Sequence, residues 1–124
     1  MKKEIGIIGL GKMGGNIARR LREKKWHVYG MDAHSETTKK MEREGVVGAY
    51  SVPELVSNLP SPRVVLLMVP AGKGGDEIFF GKEGLARFLK KGDIVIDGGN
   101  SYFRDSIVRA RKMAKRGIKF VDVG

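Results

Sequence analysis

Apolar residues along this chain follow two rhythms. Short unbroken runs such as Ile5-Gly6-Ile7-Ile8, Val64-Val65-Leu66-Leu67-Met68-Val69 and Ile94-Val95-Ile96 have no alternating polar position. That suits strands buried on both faces of a parallel sheet. Between them, apolar residues recur three or four apart in charged segments, as helices with one buried stripe require. The predicted order begins with a strand over 2–9 and a helix over 13–25, with Met13, Ile17, Leu21 and the neighbouring Ala18 on its stripe. A strand over 26–31 follows, containing His27 and closed by Asp32. Ser35 is the expected N-cap of a short helix to about Glu44, stopped by Gly45, and 46–49 can be a short strand. Ser51-Val52-Pro53-Glu54 matches a capping box and opens a helix over 53–58, ended by Pro60 and Pro62. Next come a strand over 63–69, a loop over 70–75, a helix over 76–89 interrupted within 81–84, and a strand over 94–97. A loop over 98–101 leads to a helix over 102–116, with Ile107, Ala110 and Ala114 on one stripe and Gly117 as its stop. A strand over 118–123 ends the chain.

Strands alternating with helices imply an α/β fold, a parallel sheet with helices on both faces. Right-handed crossovers favour the strand order three-two-one-four-five-six, the doubly wound Rossmann-type arrangement, as a single domain over 1–124. The length of 124 residues suits one core, and no repeat or linker interrupts it. No apolar run reaches the ~18 residues of a membrane span, and the N-terminus has no signal-type apolar stretch. The absence of cysteine excludes disulfides and thiolate metal sites, and a cytoplasmic protein is the expectation. The formal charge of +10 leaves three readings open: solvated helix faces, a field for anionic ligands, or nucleic-acid binding. The clusters at 19–25 and 109–116 lie on predicted helices without interleaved aromatics, so nucleic acid is the least favoured.

In such a sheet, ligands bind at the carboxyl ends of the strands, near the switch between its halves. Four features converge there. Gly9-Leu10-Gly11-Lys12-Met13-Gly14 follows the first strand as a glycine turn opening a helix. Unpaired amides and the positive end of the helix dipole there favour a pyrophosphate, although a tight turn with no ligand is the plain alternative. Asp32, after the second strand, is either an ordinary strand-end or cap residue or, by its spacing, a ribose-binding carboxylate that would repel a 2′-phosphate and so favour NAD over NADP. Ala33 and His34 follow it in place of an arginine, and His34 is either an adenosine contact or a solvated loop residue. Val69, Pro70 and Ala71 leave the fourth strand, and Asn100 leaves the fifth as a ligand amide, a helix cap, or both. No Ser/His/Asp or metal-ligand set is apparent, nor a group placed to take a hydroxyl proton.

Taken together, Gly9-Leu10-Gly11-Lys12-Met13-Gly14-Gly15-Asn16, Leu67-Met68-Val69-Pro70-Ala71-Gly72, Ile96-Asp97-Gly98-Gly99-Asn100-Ser101-Tyr102 and Phe120-Val121-Asp122-Val123-Gly124 resemble the N-terminal domain of decarboxylating 6-phosphogluconate dehydrogenases. The resemblance is nearest to their NAD-preferring branch and covers the whole chain. The glycine motif is shared with the wider β-hydroxyacid dehydrogenases, whereas Asp97-Gly98-Gly99-Asn100-Ser101-Tyr102 is the specific part. It implies cofactor binding by 9–14, Asp32, Ala33, His34, Val69, Pro70, Ala71 and Asn100, with Asn100 also meeting substrate. NADP-preferring relatives carry Asn-Arg where this chain has Asp32-Ala33. The implied reaction oxidises the C3 hydroxyl of 6-phosphogluconate, decarboxylates the 3-keto intermediate and tautomerises the enediol to ribulose 5-phosphate. Such enzymes continue into a Ser-Gly-Gly substrate loop, a lysine acid/base, a glutamate proton donor and a helical domain that forms a homodimer. None of these is in this sequence, so the chain alone is expected to bind dinucleotide without turning over substrate. The alternatives are a β-hydroxyacid dehydrogenase cofactor domain and a stand-alone, non-catalytic dinucleotide-binding module.

Overall fold

The structure, a computed structural model, describes residues 3–69, 75–99 and 103–123. The elements are β1 (Glu4–Ile8), α1 (Lys12–Glu23), β2 (His27–Met31), α2 (Ser35–Glu42), β3 (Val47–Gly48), α3 (Val52–Asn58), β4 (Val64–Leu67), α4 (Gly75–Phe80), α5 (Leu85–Phe88), β5 (Ile94–Asp97), α6 (Phe103–Lys115) and β6 (Lys119–Asp122). The sheet runs β3-β2-β1-β4-β5-β6, and each pairing is parallel. The central strands carry the unbroken apolar runs because helices cover both of their faces. Ile7, Val28 and Leu66 pack with Ala18 of α1 and Met41 of α2 on one side, while Ile8, Val65 and Val95 pack with Leu55 of α3 and the other helices on the opposite side.

Strand and helix order agree with the sequence reading, and three details differ. His34, with extended backbone, is the N-cap of α2, so Ser35 lies inside the helix and caps nothing with its side chain. On α1, Met13 is 67% exposed, and the first buried position belongs to Gly14, followed by Gly15 and Ala18. A Cβ at Gly14 would run into the Gly9 carbonyl oxygen, so the helix sits too close to the turn for any larger residue there. On α6, Ile107 and Ala114 are exposed and Ala110 is half-buried, whereas Arg109 and Met113 point inward. Periodicity ranks Arg109 as an outward residue. Tertiary contacts turn it inward: its guanidinium lies over the Phe79 ring, 4.9 Å from the centroid, with Nη1 3.9 Å from Asp97 Oδ2.

The Ser51 half of the capping box forms as expected, and the return bond of Glu54 lands one residue earlier, on Tyr50. Ser51 Oγ accepts from the Glu54 N–H at 3.2 Å, and Glu54 Oε1 accepts from the Tyr50 N–H at 3.0 Å. Part of the basic surface is engaged within the chain. Arg19 Nε donates to Glu44 at 2.7 Å, which holds that carboxyl below its ordinary range, and Arg22 donates to the Trp26 carbonyl at 3.1 Å.

Candidate functional site

At the carboxyl ends of β1 and β2 the backbone makes one tight assembly. The Gly9 N–H donates to the Met31 carbonyl at 2.8 Å, tying the glycine turn to the end of β2. Gly9 has φ +99°, in the left-handed region that favours glycine, and a Cβ there would lie 2.6 Å from the Met68 carbonyl oxygen. Gly9 and Gly14 are therefore demanded by the fold itself.

Gly11 is different. It is the N-cap of α1, with φ −67° and ψ −159°, values open to any residue. A Cβ at Gly11 would meet nothing within 4 Å. Sterics do not demand glycine here, although glycine is favoured over alanine at an N-cap. A ligand lying against the backbone would demand it, because a side chain would occupy its place. Among the described residues no side chain caps α1, and its first turn holds no acidic residue, so its leading amides are left to an anion.

Asp32 lies against the same turn. Its Oδ2 accepts from the Leu10 N–H at 2.7 Å, and its Oδ1 accepts from the His34 N–H at 2.9 Å. The Asp32 N–H donates to Thr38 Oγ1 at 3.1 Å, and Thr38 is fully buried. The carboxylate side chain keeps 13% exposure. An ionised carboxylate offers about four acceptor sites, so two donors leave capacity for two ligand hydroxyls. His34 Nδ1 lies 3.4 Å from Asp32 Oδ1, with the imidazole 86% exposed at the rim. Thr38 escapes a local reading: nothing in its own helix marks it as the residue that fixes Asp32. A hydroxyl at a buried, inward position of α2 is the one available signal.

Across the switch point, the ends of β4 and β5 are interlocked. The Gly98 N–H donates to the Leu67 carbonyl at 2.8 Å, and a Cβ at Gly99 would strike the Val69 carbonyl oxygen. Val69 is half-buried against the core at this exit. Pro70, Ala71 and Asn100, singled out above, lie outside the described residues. The glycine turn, Asp32, His34 and Val69 thus share one edge of the sheet. Beside the end of β2, a cavity of about 380 Å³ is lined by Met31, Tyr50, Val52, Ile78 and Lys82. The Tyr50 phenol donates to Glu42 Oε1 at 2.8 Å, and this bond pushes its pKa up. The cavity was not foreseen, since its walls come from segments far apart in sequence. Among the described residues there is no cluster able to hold a metal ion and no helix long and apolar enough to cross a membrane.

Comparison with known proteins finds similar chains. The family model described as the NAD binding domain of 6-phosphogluconate dehydrogenase matches residues 4–124. A decarboxylating 6-phosphogluconate dehydrogenase of Candida albicans is 40% identical over 98% of the chain and 24% of its own length. The NADP(+)-dependent decarboxylating enzyme of Bacillus subtilis is 39% identical over 99% of the chain and 26% of its own length. Among solved structures, Plasmodium falciparum 6-phosphogluconate dehydrogenase, studied apo, with its cofactor NADP+ and with its substrate 6-phosphogluconate, superimposes with a TM-score of 0.81. It is 32% identical, and the match covers 94% of this chain and 26% of that one. The chain thus spans about a quarter of the length of these relatives.

Proposed function

The chain belongs to the family of the NAD binding domain of 6-phosphogluconate dehydrogenase, and from that premise we propose that it holds NAD, in preference to NADP, for the oxidative decarboxylation of 6-phosphogluconate to ribulose 5-phosphate. The observation that carries the cofactor choice is Asp32. Its carboxylate is fastened by the Leu10 and His34 amides and still reaches solvent. There it would accept from both hydroxyls of the adenosine ribose and repel a phosphate on the 2′ oxygen. The leading amides of α1, at Lys12, Met13 and Gly14, would take the pyrophosphate across the space that Gly11 leaves open. Val69, with Pro70, Ala71 and Asn100, would face the nicotinamide side, where Asn100 would also meet substrate. Ala33 and His34 would border the adenosine. When bound, the nicotinamide ring supplies the hydride acceptor. The chain's own part is to bind, orient and exclude.

We propose a cytoplasmic location, and that residues 1–124 by themselves bind the dinucleotide without turning over 6-phosphogluconate. The family resemblance assigns the proton transfers to a lysine and a glutamate that fall outside residues 1–124. A second reading, NADP, is favoured by the Bacillus subtilis relative's stated NADP(+) dependence and by the NADP+ of the Plasmodium falciparum structure. Calorimetric titration of the chain with NADH and NADPH decides between them. Tighter binding of NADH is expected. Asp32→Asn is expected to weaken NADH by about 10- to 100-fold, the worth of hydrogen bonds to a charged acceptor, while costing NADPH less. Tighter binding of NADPH by the unaltered chain would overturn the NAD assignment. Ribulose 5-phosphate formed by the chain alone would overturn the claim of inactivity.

A further inference from the structure

α5 and α6 run into the starts of β5 and β6, at the edge of the sheet opposite the glycine turn and Asp32. Beside them lies a cavity of about 150 Å³, lined by Phe80, Gly81, Ala86, Arg87 and Arg116. Arg116, just past α6, donates from Nη1 to the Ala86 carbonyl at 3.0 Å. That carbonyl closes α5, where a helix leaves its last acceptors without partners, so the bond has a structural reason. It spends one of five guanidinium N–H groups and orients the others. Arg87 stands exposed on α5. Lys112, one turn before Arg116 on α6, holds Nζ over the Phe80 ring, 4.8 Å from its centroid. Three cations thus border one small cavity.

The helix dipoles favour a cation near each C-terminus, which accounts for Arg87 and Arg116 singly. They do not account for the two meeting at a cavity. Lys112 and Arg116, four apart on one helix, repel each other. The side chain of Lys91 lies against Gly117, beside Arg116, and adds to the same charge. Among the described residues no carboxylate pairs with Arg87, Lys112 or Arg116, the acidic partners being engaged with Arg19, His34, Arg63 and Arg109. Asp93, at the start of β5, is 1% exposed and is taken up by Arg63 and the Lys90 N–H. Glu83 lines the other cavity, beside the end of β2. By volume the space holds about five waters, well below the roughly 300–1,000 Å³ that encloses a drug-sized ligand. It suits one phosphate group, whose oxygens match a guanidinium fork.

We propose that Arg87, Lys112 and Arg116 form an anion site for the phosphate group of a small ligand, distinct from the dinucleotide edge. The four residues of β5 alone set the two edges about 13 Å apart. Bound phosphate relieves the repulsion among the cations and stabilises the folded chain by mass action. Of the readings open to the charge of +10, this is a local form of the field for anionic ligands.

The test follows amide chemical shifts of the isotopically labelled chain during titration with sodium phosphate and, separately, with glycerol 3-phosphate. Ionic strength is held constant with sodium chloride. Saturable shifts are expected at Gly81, Ala86, Arg87 and Arg116, with a dissociation constant on the order of 1 mM. Arg87→Gln and Arg116→Gln are each expected to weaken binding roughly tenfold. Arg116→Lys, which keeps the charge without the planar fork, is expected to recover only part of that loss. If Arg116→Gln does not fold, Arg87→Gln and Lys112→Gln decide. Binding of glycerol 3-phosphate assigns the site to phosphate esters, and binding of phosphate alone assigns it to the free ion. No saturable shift, equal shifts with chloride, shifts confined to the glycine turn at 9–14, or unchanged binding in Arg87→Gln would overturn the proposal.

Discussion

Two aspartates mark opposite edges of the same sheet. Asp93 sits at the start of β5, with its side chain 1% exposed, and takes the Arg63 N–H at 2.7 Å, the Lys90 N–H at 2.7 Å and Arg63 Nη1 at 3.3 Å. Asp32 sits at the end of β2 and, among the described residues, takes only two backbone donors, with its side chain 13% exposed. Both are acidic residues at strand ends. One completes its hydrogen bonding inside the protein and holds the entries to β4 and β5 together. The other keeps acceptor capacity turned toward the edge where the strands end. Unspent capacity at an ordered carboxylate, rather than the carboxylate itself, is what supports the binding role proposed for Asp32.

The sharpest way to break this contrast is Asp93→Ala. It strands two backbone N–H groups and a guanidinium, and removing one partner of a buried pair costs about 3–5 kcal/mol. Urea melts should show that loss, with the NADH to NADPH affinity ratio of the folded fraction unchanged. A shift in that ratio would mean that the two edges are not independent. Gly11→Ala probes the other edge. The position has open space, and the gain from a stiffer unfolded chain is offset by alanine's poorer fit as an N-cap, so alanine is expected to change stability by less than about 1 kcal/mol. Dinucleotide affinity should nevertheless fall roughly tenfold, about 1.4 kcal/mol. Unchanged affinity in calorimetry would remove the argument that a ligand occupies this space.

The smallest effect is expected for Tyr29→Phe. Tyr29 donates to Glu4 Oε1 at 2.9 Å, joining β2 to β1. That bond, then burial, raises the phenol's pKa, so the protonated form is favoured in the folded state. Its stabilisation is fully present below the ordinary tyrosine value of about 10 and is lost as pH rises through the higher folded value. Tyr29→Phe should cost about 0.5–1 kcal/mol in urea melts at pH 7, and the difference should shrink in strong alkali. A difference independent of pH would assign the effect to packing.

The contrast between the aspartates also marks where sequence reading runs out. Asp32 is legible because its partners are prescribed by a motif: a glycine turn, a helix, the next strand, then an acid. Asp93 has no such local frame. Its main partner, Arg63, is 30 residues away in the chain and is brought near only by the pairing of β4 with β5. Arg109 misleads in the same way. A helical stripe is inferred by assuming that charge faces water, and Asp97 and Phe79 cancel that assumption from two other elements. The cap of α2 went to His34 for a smaller reason, because extended backbone at that residue already starts the helix one position earlier than Ser35 suggests.

Parallel strands buried on both faces must be unbroken and apolar, and a phosphate-binding turn must be small and start a helix. Both are local demands, so the order of elements, the doubly wound sheet and the glycine turn with Asp32 were determined by the sequence itself. The tertiary structure alone decided which glycines serve the fold and which leaves room for a ligand. It also decided which buried charges complete their bonding and how the exits of β4 and β5 are joined. Those outcomes depend on distances between segments far apart in the chain, which no local pattern records.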